Sequence, residues 1–233
     1  MAIANRADGF PSAIRHSPSA FYELVLPPRL AGISRHVRDV FPLARVQSRE
    51  RAQTGGIILA SNHASFLDPP LVGCALPRAI NYLARESLFR FPGIGALLRS
   101  WNSVPVDRDG GGASGLREIL NRLLAGGGII LFPEGTRTPD GKLQPARSGI
   151  GLTVIKSDVP VIPVRTFGTF EAYGRNHKFP RPFRVAVKYG QPMLFEKLRA
   201  EARTCSKPRL KEIYQEVADE IMAAIAKLEP KAD

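Results

Sequence analysis

The chain has 233 residues, of which 44% are hydrophobic, and a formal net charge of +12 at pH 7. This length suits one large α/β domain with a real core. Its two cysteines, Cys74 and Cys205, exclude a disulfide framework or a metal-binding spacing and predict a reducing, cytosolic setting. The basic balance predicts an anionic partner: nucleic acid, a phosphorylated substrate or an acidic membrane surface.

Residues 1–50 are rich in Arg and Pro, and they carry no clean strand pattern. An aromatic and aliphatic cluster at 21–28 precedes Arg29, Arg35 and Arg38, which suits an arm lying on anionic lipid. A helical arm packed on the core is an equally good interpretation. The sequence contains no apolar stretch near the ~20 residues of a spanning helix, and the first ten residues lack a signal-peptide core.

From residue 57 onward, short apolar runs alternate with helical patterns. The runs, most of them as long as buried strands are, lie at 57–60, 80–84, 104–106, 129–132, 161–164 and 184–189. Apolar residues at helical spacing predict one helix from Ser114 to Ala125 and a last one from about Pro208 to Leu228. We therefore predict an α/β fold at 51–233, a single mixed and mainly parallel sheet flanked by helices, after an N-terminal helical or interfacial arm at 1–50.

The stretch from Asn62 to Asp68 follows the first apolar run and places His63 and Asp68 five positions apart. An imidazole with its usual pKa of about 6.5 suits proton abstraction, and a carboxylate can fix its tautomer. Pro69 and Pro70 favour a break in the chain that brings the two side chains together. Taken alone, the pair is better explained by a His that caps a helix and an Asp that ends a turn.

A second motif, Glu134-Gly135-Thr136-Arg137, follows the run at 129–132. Ligands of open α/β sheets gather outside the carboxyl ends of strands, where these residues are predicted to lie. Arg can hold phosphate through two parallel hydrogen bonds, and Gly lets the backbone approach a ligand. The alternative for this stretch alone is a surface turn with a salt bridge.

In this order and spacing, the two motifs resemble those of the lysophosphatidate acyltransferase family, the PlsC-like glycerolipid acyltransferases. Val104 to Arg108 resembles the family's middle motif, and Val159 to Val164 resembles its apolar fourth motif. Gly190-Gln191-Pro192 resembles the usual end of the catalytic domain. The resemblance implies that residues 51–233 form a glycerolipid acyltransferase domain.

The resemblance also implies residue roles. His63 would be the general base that takes the proton from the acceptor hydroxyl, and Asp68 would orient it. Arg137 would bind the glycerol phosphate, and Val159–Val164 would pack near the acyl chain or support the sheet. The implied substrate-binding residues are Glu134, Gly135, Thr136, Arg137, Arg108 and Arg85, the last at a position where many members have Lys.

The implied reaction is direct transfer of a fatty acyl group from acyl-CoA or acyl-carrier protein to the hydroxyl of lysophosphatidate, giving phosphatidate. It implies no cofactor, metal or acyl-enzyme, and backbone N–H groups near His63 are one possibility for the oxyanion site. Other acceptors fit the same motifs: a lyso-ornithine lipid, lysophosphatidylglycerol, glycerol phosphate or another lysophospholipid.

Charge placement fits anionic substrates and an anionic membrane surface as partners. From Arg165 to Lys211, twelve Lys and Arg stand against three Glu, a net of +9, although a solvated basic face is also common. We expect a peripheral protein on the cytoplasmic face of the cell membrane, with an acyl groove opening toward lipid. In this the sequence departs from better-known members, which carry apolar N-terminal spans.

Three other classes fit less well. A serine hydrolase needs G-x-S-x-G, and Gly111 to Gly115 has the wrong spacing. A nucleotide enzyme needs G-K-[ST], and Gly126 to Gly128 precedes a strand instead of opening a helix. A nucleic-acid binder lacks aromatics interleaved with basic residues, so no nucleic-acid partner is predicted.

Overall fold

The computed structural model describes residues 45–47, 55–74, 76, 78–106 and 113–229. These residues form a seven-stranded sheet with helices on both faces. The strands are β1 Arg45–Gln47, β2 Ile57–Ser61, β3 Ile80–Arg85, β4 Ser103–Val106, β5 Gly128–Leu131, β6 Val161–Phe167 and β7 Ala186–Tyr189. The helices are α1 Asp68–Cys74, α2 Pro92–Ser100, α3 Ala113–Leu124, α4 Gly149–Ser157, α5 Thr169–Tyr173, α6 Glu196–Ala202 and α7 Lys207–Ala226, with a 3-10 helix at Glu86–Arg90.

The strand order is β1-β7-β6-β2-β5-β3-β4, and every neighbouring pair is parallel except β6 with β7. The predicted mixed, mainly parallel sheet is therefore confirmed, with a strand at each of the six apolar runs. Because β6, β2, β5, β3 and β4 run in the same direction, their carboxyl ends share one edge of the sheet. Both sequence motifs begin at that edge, since they follow β2 and β5.

Strand β1 was not predicted, because three residues are too short to display a periodic pattern. It pairs in parallel with β7 and falls inside the stretch that we assigned to the N-terminal arm. The arm itself, at residues 1–44 and 48–50, lies outside the described residues. The division of the chain at residue 50 therefore stays a prediction.

The hydrophobic core lies on both faces of the sheet, which explains why β2 and β5 are buried along their whole length. Ile58 of β2 belongs to a cluster built with α3, α4 and α7, and Ile57 and Leu59 belong to a second cluster on the side of α1. The longest described helix, α7, covers the first face. No helix among the described residues is both long and apolar enough to cross a membrane.

The contact between α4 and α7 depends on Gly151. A Cβ atom at this position would lie 1.8 Å from the carbonyl oxygen of Tyr214. Any side chain there would push the two helices apart, so the sequence needs glycine at this crossing. Gly149 in the same helix has open space around its Cα.

Candidate functional site

His63 and Asp68 meet at the carboxyl edge of the sheet. His63 follows β2, and Asp68 is the first residue of α1. Pro69 and Pro70 occupy the first turn of α1, where the missing N–H groups cost nothing, so they start a helix and do not break one. The Nδ1 atom of His63 lies 3.0 Å from Oδ2 of Asp68.

The Asp68 carboxylate is held by four hydrogen bonds in a fully buried position. Its Oδ2 atom accepts from the backbone N–H groups of Ala64 and Ser65, both at 2.6 Å. Its Oδ1 atom accepts from the hydroxyl of Thr166 at 3.0 Å. With this carboxylate as acceptor, Nδ1 of His63 carries a proton and Nε2 presents its lone pair. No described residue hydrogen-bonds to Nε2.

Thr166 also ties the end of β6 to the residue that follows β2. Its backbone N–H donates to Oδ1 of Asn62 at 2.8 Å, and Nδ2 of Asn62 donates to its carbonyl oxygen at 3.2 Å. The sequence did not single out Thr166. The available signal was a hydroxyl placed just after a predicted strand, two positions beyond the run at 161–164.

The end of β5 supports His63 from the other side. The ring of Phe132 stacks on the imidazole at a centroid distance of 3.8 Å and an interplanar angle of 17°. The backbone N–H of His63 donates to Oε1 of Glu134 at 3.2 Å. The two motifs, more than sixty residues apart in sequence, are thus in direct contact.

Glu134 is 3% exposed, and its Oε2 atom has no hydrogen-bond partner among the described residues. Burial raises the pKa of its carboxyl to about 7, against the opposing effect of the hydrogen bond from His63. A buried carboxyl group beside the candidate base therefore changes charge near neutral pH.

Arg137 lies over the ring of Phe66, with its Cζ atom 3.5 Å from the ring centroid. Its buried Nη1 atom has no hydrogen-bond partner in the described part of the chain. Burial lowers the pKa of the Arg137 guanidinium, and the nearby charge of Arg175 lowers it further. We call Arg137 and Arg175 the arginine pair.

Arg175 was not found from the sequence, because it lies far from both motifs along the chain. The fold brings it there through a backbone bridge between Ser65 and Gly174. No ion-pair partner of Arg175 occurs among the described residues. Arg175 therefore adds a second positive charge near Arg137.

Gly135 has a positive φ of 71°, and a Cβ atom there would lie 2.9 Å from Cδ of Arg147. Both observations require glycine at this turn. Thr136 is exposed and has no hydrogen-bond partner among the described residues. Beyond it, the backbone N–H of Thr138 donates to the carbonyl oxygen of His63 at 2.8 Å and joins the two loops.

The remaining candidates lie on neighbouring strands. Arg85 ends β3 at the carboxyl edge of the sheet and is exposed, but no contact joins it to His63 or Asp68 in the described part of the structure. Arg108 lies outside the described residues, just past β4. In the apolar motif, Val161, Ile162 and Val164 are buried in β6, where they support the sheet.

The loop after β2 offers few donors for an oxyanion. The backbone N–H groups of His63, Ala64, Ser65 and Leu67 donate within the loop or to Glu134. Phe66 follows Ser65, which forms a backbone bridge with Gly174. The N–H groups of this loop thus serve mainly to hold the loop in place.

Comparison with known proteins places this geometry in context. A family model described as acyltransferase matches residues 44–166, which include every residue of the His63 network. The 1-acyl-sn-glycerol-3-phosphate acyltransferase of Cocos nucifera is 28% identical over 151 residues, which cover 64% of this chain and 49% of that protein. The enzyme of the same name from Bacillus subtilis is 30% identical over 109 residues, 46% of this chain and 54% of that protein. The chain spans about half the length of these relatives.

A solved structure is similar over a longer range. The 1-acyl-sn-glycerophosphate acyltransferase PlsC of Thermotoga maritima matches with a TM-score of 0.63 and 26% identity. The match covers 87% of this chain and 81% of that one. The fold of this chain is therefore similar to that of a solved acyltransferase.

Proposed function

Because the chain belongs to the acyltransferase family, we propose that it transfers a fatty acyl group from acyl-CoA or acyl-carrier protein to the hydroxyl of lysophosphatidate, giving phosphatidate. The observation that carries this proposal is the 3.0 Å hydrogen bond between Nδ1 of His63 and Oδ2 of Asp68. The names of the relatives from Cocos nucifera and Bacillus subtilis support the choice of acceptor.

His63 acts as the general base. Its Nε2 atom takes the proton of the acceptor hydroxyl, while Asp68 stabilises the imidazolium that forms. The hydroxyl oxygen then bonds to the thioester carbonyl carbon and gives a tetrahedral oxyanion. When that intermediate collapses, the carbon–sulfur bond breaks and the thiolate receives the proton from Nε2.

The arginine pair binds the phosphate of the acceptor. The charge of Arg175 beside Arg137 supports this assignment, because two guanidinium groups attract a phosphate more strongly than one. Glu134, Gly135 and Thr136 shape the acceptor site. We assign Arg108 and Arg85 as further cationic contacts at the same edge.

The acceptor and the acyl product are lipids, and we propose that the enzyme works as a peripheral protein on the cytoplasmic face of the cell membrane. The net charge of +12 supports attraction to anionic lipid headgroups. The excess of basic residues from Arg165 to Lys211 supports the same interpretation.

The test is acyl transfer by the purified protein, with acyl-CoA and acyl-carrier protein as parallel donors. The acceptor panel holds lysophosphatidate, glycerol phosphate, lysophosphatidylglycerol and a lyso-ornithine lipid. We expect a preference for lysophosphatidate. A preference for another member of the panel would keep the His63 chemistry and overturn the assignment of the acceptor.

The matched variant for the base is His63→Ala. We expect transfer to fall about 10²- to 10⁴-fold, the usual contribution of general-base catalysis, with an unchanged circular dichroism spectrum. Retained activity in a well-folded variant would contradict the assignment. Arg137→Gln should mainly raise the KM of the acceptor, with a smaller effect on kcat.

A further inference from the structure

Helix α2 projects its large apolar side chains into solvent. Phe91, Ile94 and Leu97 are 59%, 47% and 48% exposed, and Gly95 is the only buried residue of the helix. Leu88 of the preceding 3-10 helix adds to the same stretch at 38% exposed. An exposed run of bulky apolar side chains at helical spacing marks a surface that meets another apolar phase. We call residues 88–99 the α2 surface.

The chemistry of the α2 surface favours lipid over protein. The eight residues from Phe91 to Leu98 contain no polar side chain, so they offer no side-chain hydrogen bonds to a specific partner. Arg90 precedes this run and Arg99 follows it, and α2 contains no acidic residue. Apolar residues bracketed by arginines match a bilayer interface, where the apolar groups insert and the cations meet anionic headgroups.

The α2 surface begins beside the candidate site. Strand β3 ends with Arg85 at the carboxyl edge of the sheet, and the 3-10 helix and α2 follow directly. Since β4 runs parallel to β3, this segment leads from the catalytic edge back to the start of β4. Leu88 and Phe91 therefore lie in the first part of this segment, which begins at the edge of the sheet where His63 lies.

We propose that the α2 surface docks the protein on an anionic lipid bilayer. Phe91, Ile94 and Leu97 insert among the acyl chains, and Arg90 and Arg99 contact the headgroups. Docking by this face brings the carboxyl edge of the sheet close to the membrane, where an acceptor lipid would enter. The link to catalysis depends on the proposed function, whereas the docking does not.

The first test measures binding of the full chain to vesicles of phosphatidylcholine with and without phosphatidylglycerol. The variant replaces Phe91, Ile94 and Leu97 by Ser, and its matched control carries Leu124→Ser and Phe179→Ser, two residues that are 72% and 78% exposed elsewhere. We expect the triple variant to lose at least about tenfold in affinity for anionic vesicles. The control should stay within about twofold. Equal binding by the triple variant and the unchanged chain would overturn the proposal.

The second test separates docking from chemistry. Transfer is measured on an acceptor embedded in vesicles and on a short-chain acceptor below its critical micelle concentration. We expect the triple variant to lose activity on the embedded acceptor and to keep it on the soluble one. If neither variant nor parent transfers to any acceptor, the proposed function fails and the vesicle-binding result still decides the docking surface.

Two other partners of the α2 surface would give different results in these tests. If residues 1–44 of this chain cover α2, the substitutions lower the melting temperature and leave vesicle binding unchanged. If α2 binds acyl-carrier protein, the triple variant loses activity with that donor only, on soluble and embedded acceptors alike. Either result overturns the assignment of a bilayer.

Discussion

The orientation of His63 depends on Asp68, and the position of Asp68 depends in turn on Thr166. Asp68 holds the imidazole, and the hydroxyl of Thr166 holds the second oxygen of that carboxylate. Asn62 fixes the backbone of Thr166 in turn. The orientation of His63 is thus set in part by Asn62, just after β2, and by Thr166 on β6, neither of which bonds to the imidazole. We therefore expect Thr166 to act as a positioning residue.

Replacing Thr166 tests this chain of hydrogen bonds. Thr166→Val keeps the shape of the side chain but removes the donor to Asp68, so we expect kcat to fall about tenfold with little change in the acceptor KM. Thr166→Ser retains the hydroxyl and should restore most of the activity. A purely structural role would lower the melting temperature of the Val variant without changing kcat for the folded protein.

Glu134 makes a separate prediction about pH. Its pKa in the folded protein is raised to about 7, so the folded state binds the proton more tightly than the unfolded state does between pH 4.5 and 7. The free energy of unfolding should therefore fall as pH rises through this window, by on the order of 3 kcal/mol. Urea unfolding at pH 5 and pH 8 should show this loss in the parent and a smaller one in Glu134→Gln. Equal losses in both proteins would mean that the Glu134 carboxyl is not the titrating group.

At the scale of elements, the packing of α4 on α7 makes a prediction with a control in the same helix. Gly151→Ala places a Cβ atom against the carbonyl oxygen of Tyr214, and we expect it to lower the free energy of unfolding by at least about 2 kcal/mol. Gly149→Ala meets open space and should be neutral or stabilising by less than about 1 kcal/mol. Similar unfolding midpoints for the two variants would contradict the close helix contact.

The elements that the sequence predicted are those with a repeating local pattern. Six strands and the helices α3 and α7 follow from runs and stripes of apolar residues. The antiparallel pairing of β7 and the addition of β1 depend on long-range contacts, which periodicity does not report. The start of α1 at Asp68 was missed because Pro69 and Pro70 were interpreted as a break, although proline is favoured in the first turn of a helix.

The residues of the candidate site also fall into two groups: those that stand in a local motif and those that only the tertiary fold brings to the site. His63, Asp68 and Glu134 stand in two local motifs, and the fold brings these motifs into contact. Thr166 and Arg175 join the site only through the tertiary fold, so no local spacing marks them. Arg85 was predicted from the resemblance. It lies at the same edge of the sheet as His63, but no contact joins it to His63 or Asp68 in the described part of the structure.

For the whole molecule, the resemblance to the acyltransferase family is confirmed by the match over residues 44–166. The net charge of +12 then makes a prediction about ionic strength. Raising salt from about 0.05 to about 0.5 M should weaken binding to anionic vesicles at least about tenfold, because it screens the attraction to headgroups. Co-sedimentation measures this, with vesicles of phosphatidylcholine alone as the control. Salt-independent binding to anionic vesicles would mean that charge does not drive the association.

The residues that hold His63 come from three adjacent strands: Asp68 after β2, Phe132 and Glu134 after β5, and Thr166 on β6. These strands form the centre of the sheet, so a fragment that lacks one of them lacks part of the proposed base. Catalytic activity therefore reports the assembly of the sheet. In a denaturant titration, activity and far-ultraviolet circular dichroism should be lost at the same midpoint, without an inactive state that keeps its secondary structure.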